Sequence, residues 1–164
     1  MTTTAARLAD EADLSVLTDL IDAAWSEQID ARGGSLLHST AQRSGSGADR
    51  AQAALHSAHH TVWMGTIDST PIGYGVVRLD RLSNGEDLAV IEDLFVLEDA
   101  RQIGVGEEMT SAITSWAIEH RCIGIDAVAL PGNRHTKNFF EMLGLTARAI
   151  VVHKSLRPVE RISE

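Results

Sequence analysis

Residues Ile91–Gly106 read IEDLFVLEDARQIGVG, and two features of this run have the types and spacing to do chemistry. The first is the loop Arg101-x-x-Gly104-x-Gly106, placed between an apolar strand pattern and a helix pattern. Glycines let the backbone approach a ligand closely, and a helix start offers free N–H groups and a positive dipole end. That combination suits a diphosphate. The second is the acid pair Glu92-Asp93 inside the apolar run. A carboxylate held in such a place can accept a proton from a nucleophile. Side chains alternate along a strand, so only one of the two is expected to face a cleft.

The chain that must position these groups has 164 residues, 44% hydrophobic and 23% charged, enough for one domain (1–164) with a sizeable core. No stretch approaches a membrane span, and no secretory h-region is visible. The only cysteine is Cys122, so no internal disulfide can form. These features point to a cytoplasmic protein with no membrane partner. A formal charge of −9 argues against a nucleic-acid binder.

Thr3–Leu8 reads as a first strand, with Asp10 or Asp13 as a helix cap after it. Leu14, Leu17, Leu20, Ile21, Ala24 and Trp25 fall at helical spacing, which predicts a helix to about Gln28–Arg32. The Gly/Ser-rich stretch that follows reads as a mobile connection, and Ala48–Ala58 as a short second helix. Thr61–Ile67 and Ile72–Leu79 form a hairpin around Asp68–Pro71, and Leu88–Leu97 a further strand. Val105, Met109, Ala112, Ile113, Trp116 and Ala117 mark a helix, and Ile123–Leu130 a buried strand. Asn133 caps a short helix that Gly144 stops, and Thr146–Lys154 is expected as the last strand. The order β-α-α-β-β-β-α-β-α-β implies an α/β (α+β) fold. Its sheet is mixed and mostly antiparallel, with helices on both faces. A Rossmann domain would alternate from its start, so this glycine loop is not expected to hold NAD.

This order resembles the Gcn5-related N-acetyltransferases (GNAT family). Arg101-Gln102-Ile103-Gly104-Val105-Gly106 fits that family's R/Q-x-x-G-x-G/A signature, and IEDLFVLEDA resembles its fourth strand. The segment from Asn133 to Leu145, with Phe139-Phe140 and Gly144-Leu145, resembles N-x-x-A-x-x-F-Y-x-x-x-G-F. The resemblance implies acetyl-coenzyme A as co-substrate. Amides of Gln102, Ile103, Gly104, Val105, Gly106 and Glu107 would hold its pyrophosphate, with Arg101 at the loop's start. The fourth strand would carry a bulge and splay from the fifth. The pantetheine arm would then lie along Leu94, Phe95 and Val96, with Asn133 bonding its amide and Phe140 nearby. No metal is implied, and His56, His59 and His60 read as a partly exposed helix end. Trp25, Trp63 and Trp116 fall on apolar stripes and read as core.

The activity implied is transfer of an acetyl group to a primary amine of a small molecule or peptide by direct attack. The amine must first lose a proton, since its pKa is about 10. Glu92 is the candidate base, directly or through water, with Asp93 the alternative. An amide of Leu94, Phe95 or Val96 would polarise the thioester carbonyl. Many relatives carry a tyrosine where this chain has Phe140, and that tyrosine protonates the leaving thiolate. Here solvent, Tyr74, a serine or a histidine must serve. Otherwise the domain is a non-catalytic acyl-coenzyme A-binding or regulatory module. A nucleotide-binding protein using the same loop is a weaker third reading. Relatives often form homodimers, but no residue of this sequence marks a partner surface.

Overall fold

Asp68 and Ser69 both adopt left-handed backbone, with φ of 47° and 69°. Successive positive φ angles suit a two-residue hairpin turn. They join β2 (His60–Ile67) to β3 (Thr70–Arg81), which pair antiparallel from Ile67 opposite Thr70 back to His60 opposite Arg78. The computed structural model describes residues 2–40 and 43–157. In it β1 (Thr4–Leu8) pairs antiparallel with β2. The fourth strand, β4 (Asp87–Val96), pairs antiparallel with β3, and β5 (Cys122–Ala127) lies parallel to β4. The sheet order is β1-β2-β3-β4-β5.

Helices cover both faces. On one side α1 (Leu14–Gln28) and α3 (Gly47–His56) pack Leu17, Leu20, Ile21, Ala24 and Ala51 onto Val62, Met64, Tyr74, Val76 and Phe95. On the other, α4 (Val105–Glu119) and α5 (Arg134–Met142) supply Ile113, Ala117 and Phe140 against Val77, Ala89 and Ile91. The sheet must be smooth where α4 lies closest. A Cβ on Gly65 would stand 2.6 Å from Val105 and 2.8 Å from the Met109 sulfur. Asp10 begins α1's entry through a capping box with Asp13, and Asn133 caps α5 by accepting from the Thr136 amide at 3.1 Å.

Two expectations need correction. The Gly/Ser-rich connection is not wholly irregular, because it holds a five-residue helix, α2 (Gly34–His38). His38 from that helix stacks on Trp25 with ring centroids 4.3 Å apart, which gives the stretch a buried anchor. Thr146–Lys154 does not form a strand, although Gly144 turns the chain after α5 as expected (φ 86°). Its β propensity is genuine, but a strand needs a neighbour to pair with; Arg148 reaches Asp126 of β5 by its side chain, and beyond it the segment is exposed, Val151 by 94%. Among the described residues the sheet therefore ends at β5.

The two positions call for opposite outcomes in denaturant. Met109→Ala, at a site with no exposed surface, should lower unfolding free energy by about 2–5 kcal/mol. Ile150→Ala, 84% exposed, should stay within roughly 0.5 kcal/mol of the parent in the same urea titration.

Candidate active site

The register of β3 and β4 slips at one point. Asp93 lies opposite Val76 and Ile91 opposite Val77, so Glu92 is the extra residue of a β-bulge. A bulge bends its strand and re-aims side chains. Both acids consequently line one cleft, together with Leu94, against the alternation expected of a regular strand. The bulge also marks where β4 and β5 part. Their pairing runs only to Ile91 opposite Ala127, with a last contact from the Val128 amide to the Ile91 carbonyl at 3.3 Å. Beyond it the cleft opens between Glu92–Leu94 and Val128–Leu130, with Asn133, Thr136 and Phe140 on its far wall.

Glu92 is held from two sides. One oxygen lies 2.9 Å from His60 Nε2, and the other accepts from Arg78 Nη1. The His60 hydrogen bond, aided by the Arg78 charge, holds the Glu92 carboxyl below its ordinary range despite its burial. Ser57 Oγ sits 2.7 Å from the other ring nitrogen of His60, fixing the ring. Arg78 also donates to Asp80 through Nε at 2.5 Å and Nη2 at 2.9 Å. Asp93 forms a second centre. Arg43 Nη1 donates to it at 2.5 Å, and Arg50 Nη2 lies 3.7 Å away, stacked over Trp25. Arg43 Nη2 also donates to the Glu92 carbonyl at 2.5 Å, which ties the α2–α3 connection to the bulge.

The glycine loop lies between β4 and α4. Gln102 and Gly104 both take left-handed backbone, φ 68° and 97°. Ile103 lies between them, and Val105, Gly106 and Glu107 open the helix. First-turn amides have no partner within their own helix, so they face outward as donors. Gly106 has a packing reason as well, since a Cβ there would meet the Phe139 ring at 3.1 Å. Arg101 is engaged with the protein. Its Nε donates to the Val96 carbonyl at 2.9 Å, its Nη2 to Glu27 at 2.5 Å, and it lies over the Phe95 ring. Phe95 is a core residue facing Tyr74, with ring centroids 6.2 Å apart. Phe140 is 6% exposed and touches both core and cleft.

Tyr74 is fully buried, and burial pushes its phenol well above its ordinary pKa. It does not line the cleft, so it is not placed to give a proton there. Sequence reasoning missed His60, Arg78, Arg43 and Arg50. Counting back from the Asp68-Ser69 turn sets His60 opposite Val77, and only the register shift at Gly65/Thr66 brings it opposite Arg78. The arginines after α2 come to β4 only through tertiary packing.

A mixed sheet whose fourth and fifth strands part at a bulge, next to a glycine loop and helix start, defines an acyltransferase-type fold. Residues 19–145 match the acetyltransferase (GNAT) family. The chain belongs to that family. Similar solved structures include a tetramutant of the BH1408 protein from Bacillus halodurans. It is 22% identical with a TM-score of 0.78, over 92% of this chain and 99% of that one. The aminoglycoside N-acetyltransferase AAC(6')-Iy in complex with CoA is 17% identical with a TM-score of 0.73, over 96% and 97%. An aminoglycoside acetyltransferase, meta-AAC0020, from an uncultured soil metagenomic sample, in complex with sisomicin, is 18% identical with a TM-score of 0.70, over 95% and 97%. No curated protein matches the chain.

Because Glu92 titrates low, its pairing stabilises the fold above the ordinary carboxylate pKa of about 4.3 and is lost as pH falls through the depressed folded value. Glu92→Gln should thus melt below the parent at pH 7, and the gap should close as thermal scans move below about pH 4.

Proposed function

We propose that this chain transfers an acetyl group from acetyl-coenzyme A to a primary amine of a small molecule or peptide. The observation that carries the reading is the bulge at Glu92. It sets Glu92 and Asp93 along the cleft where β4 leaves β5, on the strand that leads into the glycine loop. Family membership and neighbours solved with CoA support the same reading. Aminoglycosides belong among the amines to be tried, because one neighbour was solved with sisomicin.

Acetyl-coenzyme A supplies an activated thioester; the protein supplies geometry and charge. Amides of Gln102–Glu107 suit the pyrophosphate. The open edge of β4 around Leu94 suits an extended amide chain, which can add to a strand edge as a peptide does. Arg43 and Arg101 already take the carbonyls of Glu92 and Val96, which leaves the main chain between them for the ligand. Glu92 acts as the base through a water molecule. Its carboxylate is ionised at neutral pH, and His60 fixes its orientation. Asp93, paired with Arg43 and 3.7 Å from Arg50, is the alternative acid. The thiolate takes its proton from solvent. Phe140 has no proton to give, Tyr74 is sealed in the core, and a thiol pKa of about 8.5 makes the leaving group a modest base.

Thiol release with a panel of amines, alongside calorimetry with coenzyme A, tests the reading. Glu92→Gln should lower kcat about 10²–10⁴-fold and leave coenzyme A affinity within a factor of about two. Retained activity in that variant would remove Glu92 from the mechanism. Coenzyme A binding without turnover on any amine would favour a regulatory module. kcat/KM should climb with pH through 7 to 9 as the amine loses its proton. No acid limb is expected above about pH 5, since the carboxylate is already ionised there. Phe140→Tyr should raise kcat if proton supply to sulfur limits the parent enzyme.

A further inference from the structure

One side of the cleft holds more positive charge than it pairs. Arg43 and Arg50 both turn to Asp93, and among the described residues no other carboxylate pairs with either. Their side chains are 11% and 9% exposed. Arg43 takes Asp93 at 2.5 Å, while Arg50 Nη2 stands 3.7 Å from the same carboxylate, beyond hydrogen-bond length. Arg50 Nη1 is buried with no hydrogen-bond partner among the described residues. Glu92 does not balance the pair, because Arg78 and His60 hold its carboxylate. Tyr74 does not balance it either. Asp93 and both arginines act on its phenol, yet burial pushes the group well above its ordinary pKa and keeps it neutral. His38, which shares Trp25 with Arg50, registers the surplus. Burial first, then the charges of Arg50 and Arg43, hold its ring below the ordinary range.

A buried cation without a full counter-charge is costly. An anion carried in by the substrate would complete it. Arg43 is the member of the pair that lines the cleft, beside Gln28, Glu92 and Asp93. Resting on the acetyl-transfer reading, we propose that the acceptor amine carries a carboxylate of its own, as an amino acid does, and that Arg43 holds that carboxylate. A guanidinium offers five N–H donors in a planar fork that matches a carboxylate. As Arg43 shares its donors with the incoming acid, Arg50 closes on Asp93. Two cations then face two anions, and neither carboxylate is left unpaired. The same balance disfavours polycations. Among the described residues Glu92 and Asp93 are the only acids lining the cleft, and each already has its arginine. A second or third ammonium group would find no carboxylate there.

Thiol release on L-amino acids and on their carboxamides tests this, since each pair shares a side chain and differs in the carboxylate. Rates are compared at a pH above both amine pKa values. At least one acid should exceed its carboxamide by about 10–100-fold in kcat/KM, the effect of one charge-assisted hydrogen bond. Sisomicin should be a poorer acceptor than that acid. In Arg43→Gln the acid-to-carboxamide ratio should fall to within about threefold of unity, because the charged partner is gone. A ratio is indifferent to the fraction of folded enzyme, so a weakened variant still reports. Carboxamides or sisomicin used as well as every acid would overturn the proposal and leave acetyl transfer standing. A preference that survives Arg43→Gln would overturn it too. Coenzyme A binding without turnover on any amine counts against acetyl transfer instead. The carboxylate site is then read by calorimetry, with acids and carboxamides titrated into the coenzyme A complex. Heat from an acid, lost with its carboxamide and in Arg43→Gln, supports the site; no heat from any acid overturns it.

Discussion

One extra residue in β4 governs the site. With Glu92 outside the β3–β4 register, the strand bends at the point where β5 stops following it. Without the bulge, Glu92 and Asp93 would point to opposite faces. β4 would also have less reason to leave β5. The cleft, the two acids inside it and the uncovered strand edge are thus consequences of a single irregularity. Bulges of this kind sit next to active sites because they re-aim side chains without altering the rest of the sheet.

The rest of the molecule holds that irregularity in place. On one side of the cleft, His60, Arg78 and Asp80 surround Glu92, a row that spans three neighbouring strands. On the other, Arg43 and Arg50 surround Asp93 from the helical connection. Each acid has its own arginine, Arg78 for Glu92 and Arg43 for Asp93, so the two adjacent carboxylates are separately paired. Arg43 reaches both centres, through the Asp93 carboxylate and the Glu92 carbonyl. The α2–α3 connection is therefore part of the site, although it carries the weakest sequence pattern in the chain. Buried polar groups cluster here as well. Among the described residues, the ring nitrogens of His38, the Tyr74 hydroxyl and Arg50 Nη1 have no hydrogen-bond partner.

What the sequence disclosed and what it withheld follow from the range of each interaction. The glycine loop, the α4 stripe from Val105 to Ala117 and the Asn133 cap are local patterns. Each appears in the structure within a residue or two of its expected place. The bulge was not legible from the residues, because a run such as VIEDLFV alternates equally well with or without a slip; the family resemblance alone implied it. Arg43 with Asp93 and His60 with Glu92 are 50 and 32 residues apart, and no spacing rule joins them. Thr146–Lys154 shows the opposite failure. Its strand pattern is plain, yet propensity names a conformation and not a partner, and among the described residues it pairs with none.

The central claim is that the loop amides and the open edge of β4 form one continuous binding surface for an acyl-coenzyme A. Amide NMR shifts during titration with acetyl-coenzyme A test it most directly. The account predicts saturable shifts of the Gln102–Gly106 and Leu94–Val96 amides with a shared dissociation constant, while amides of the Leu82–Glu86 turn at the far end of β3 and β4 stay still. Unmoved amides in both stretches at millimolar ligand would contradict it, as would shifts confined to some other face.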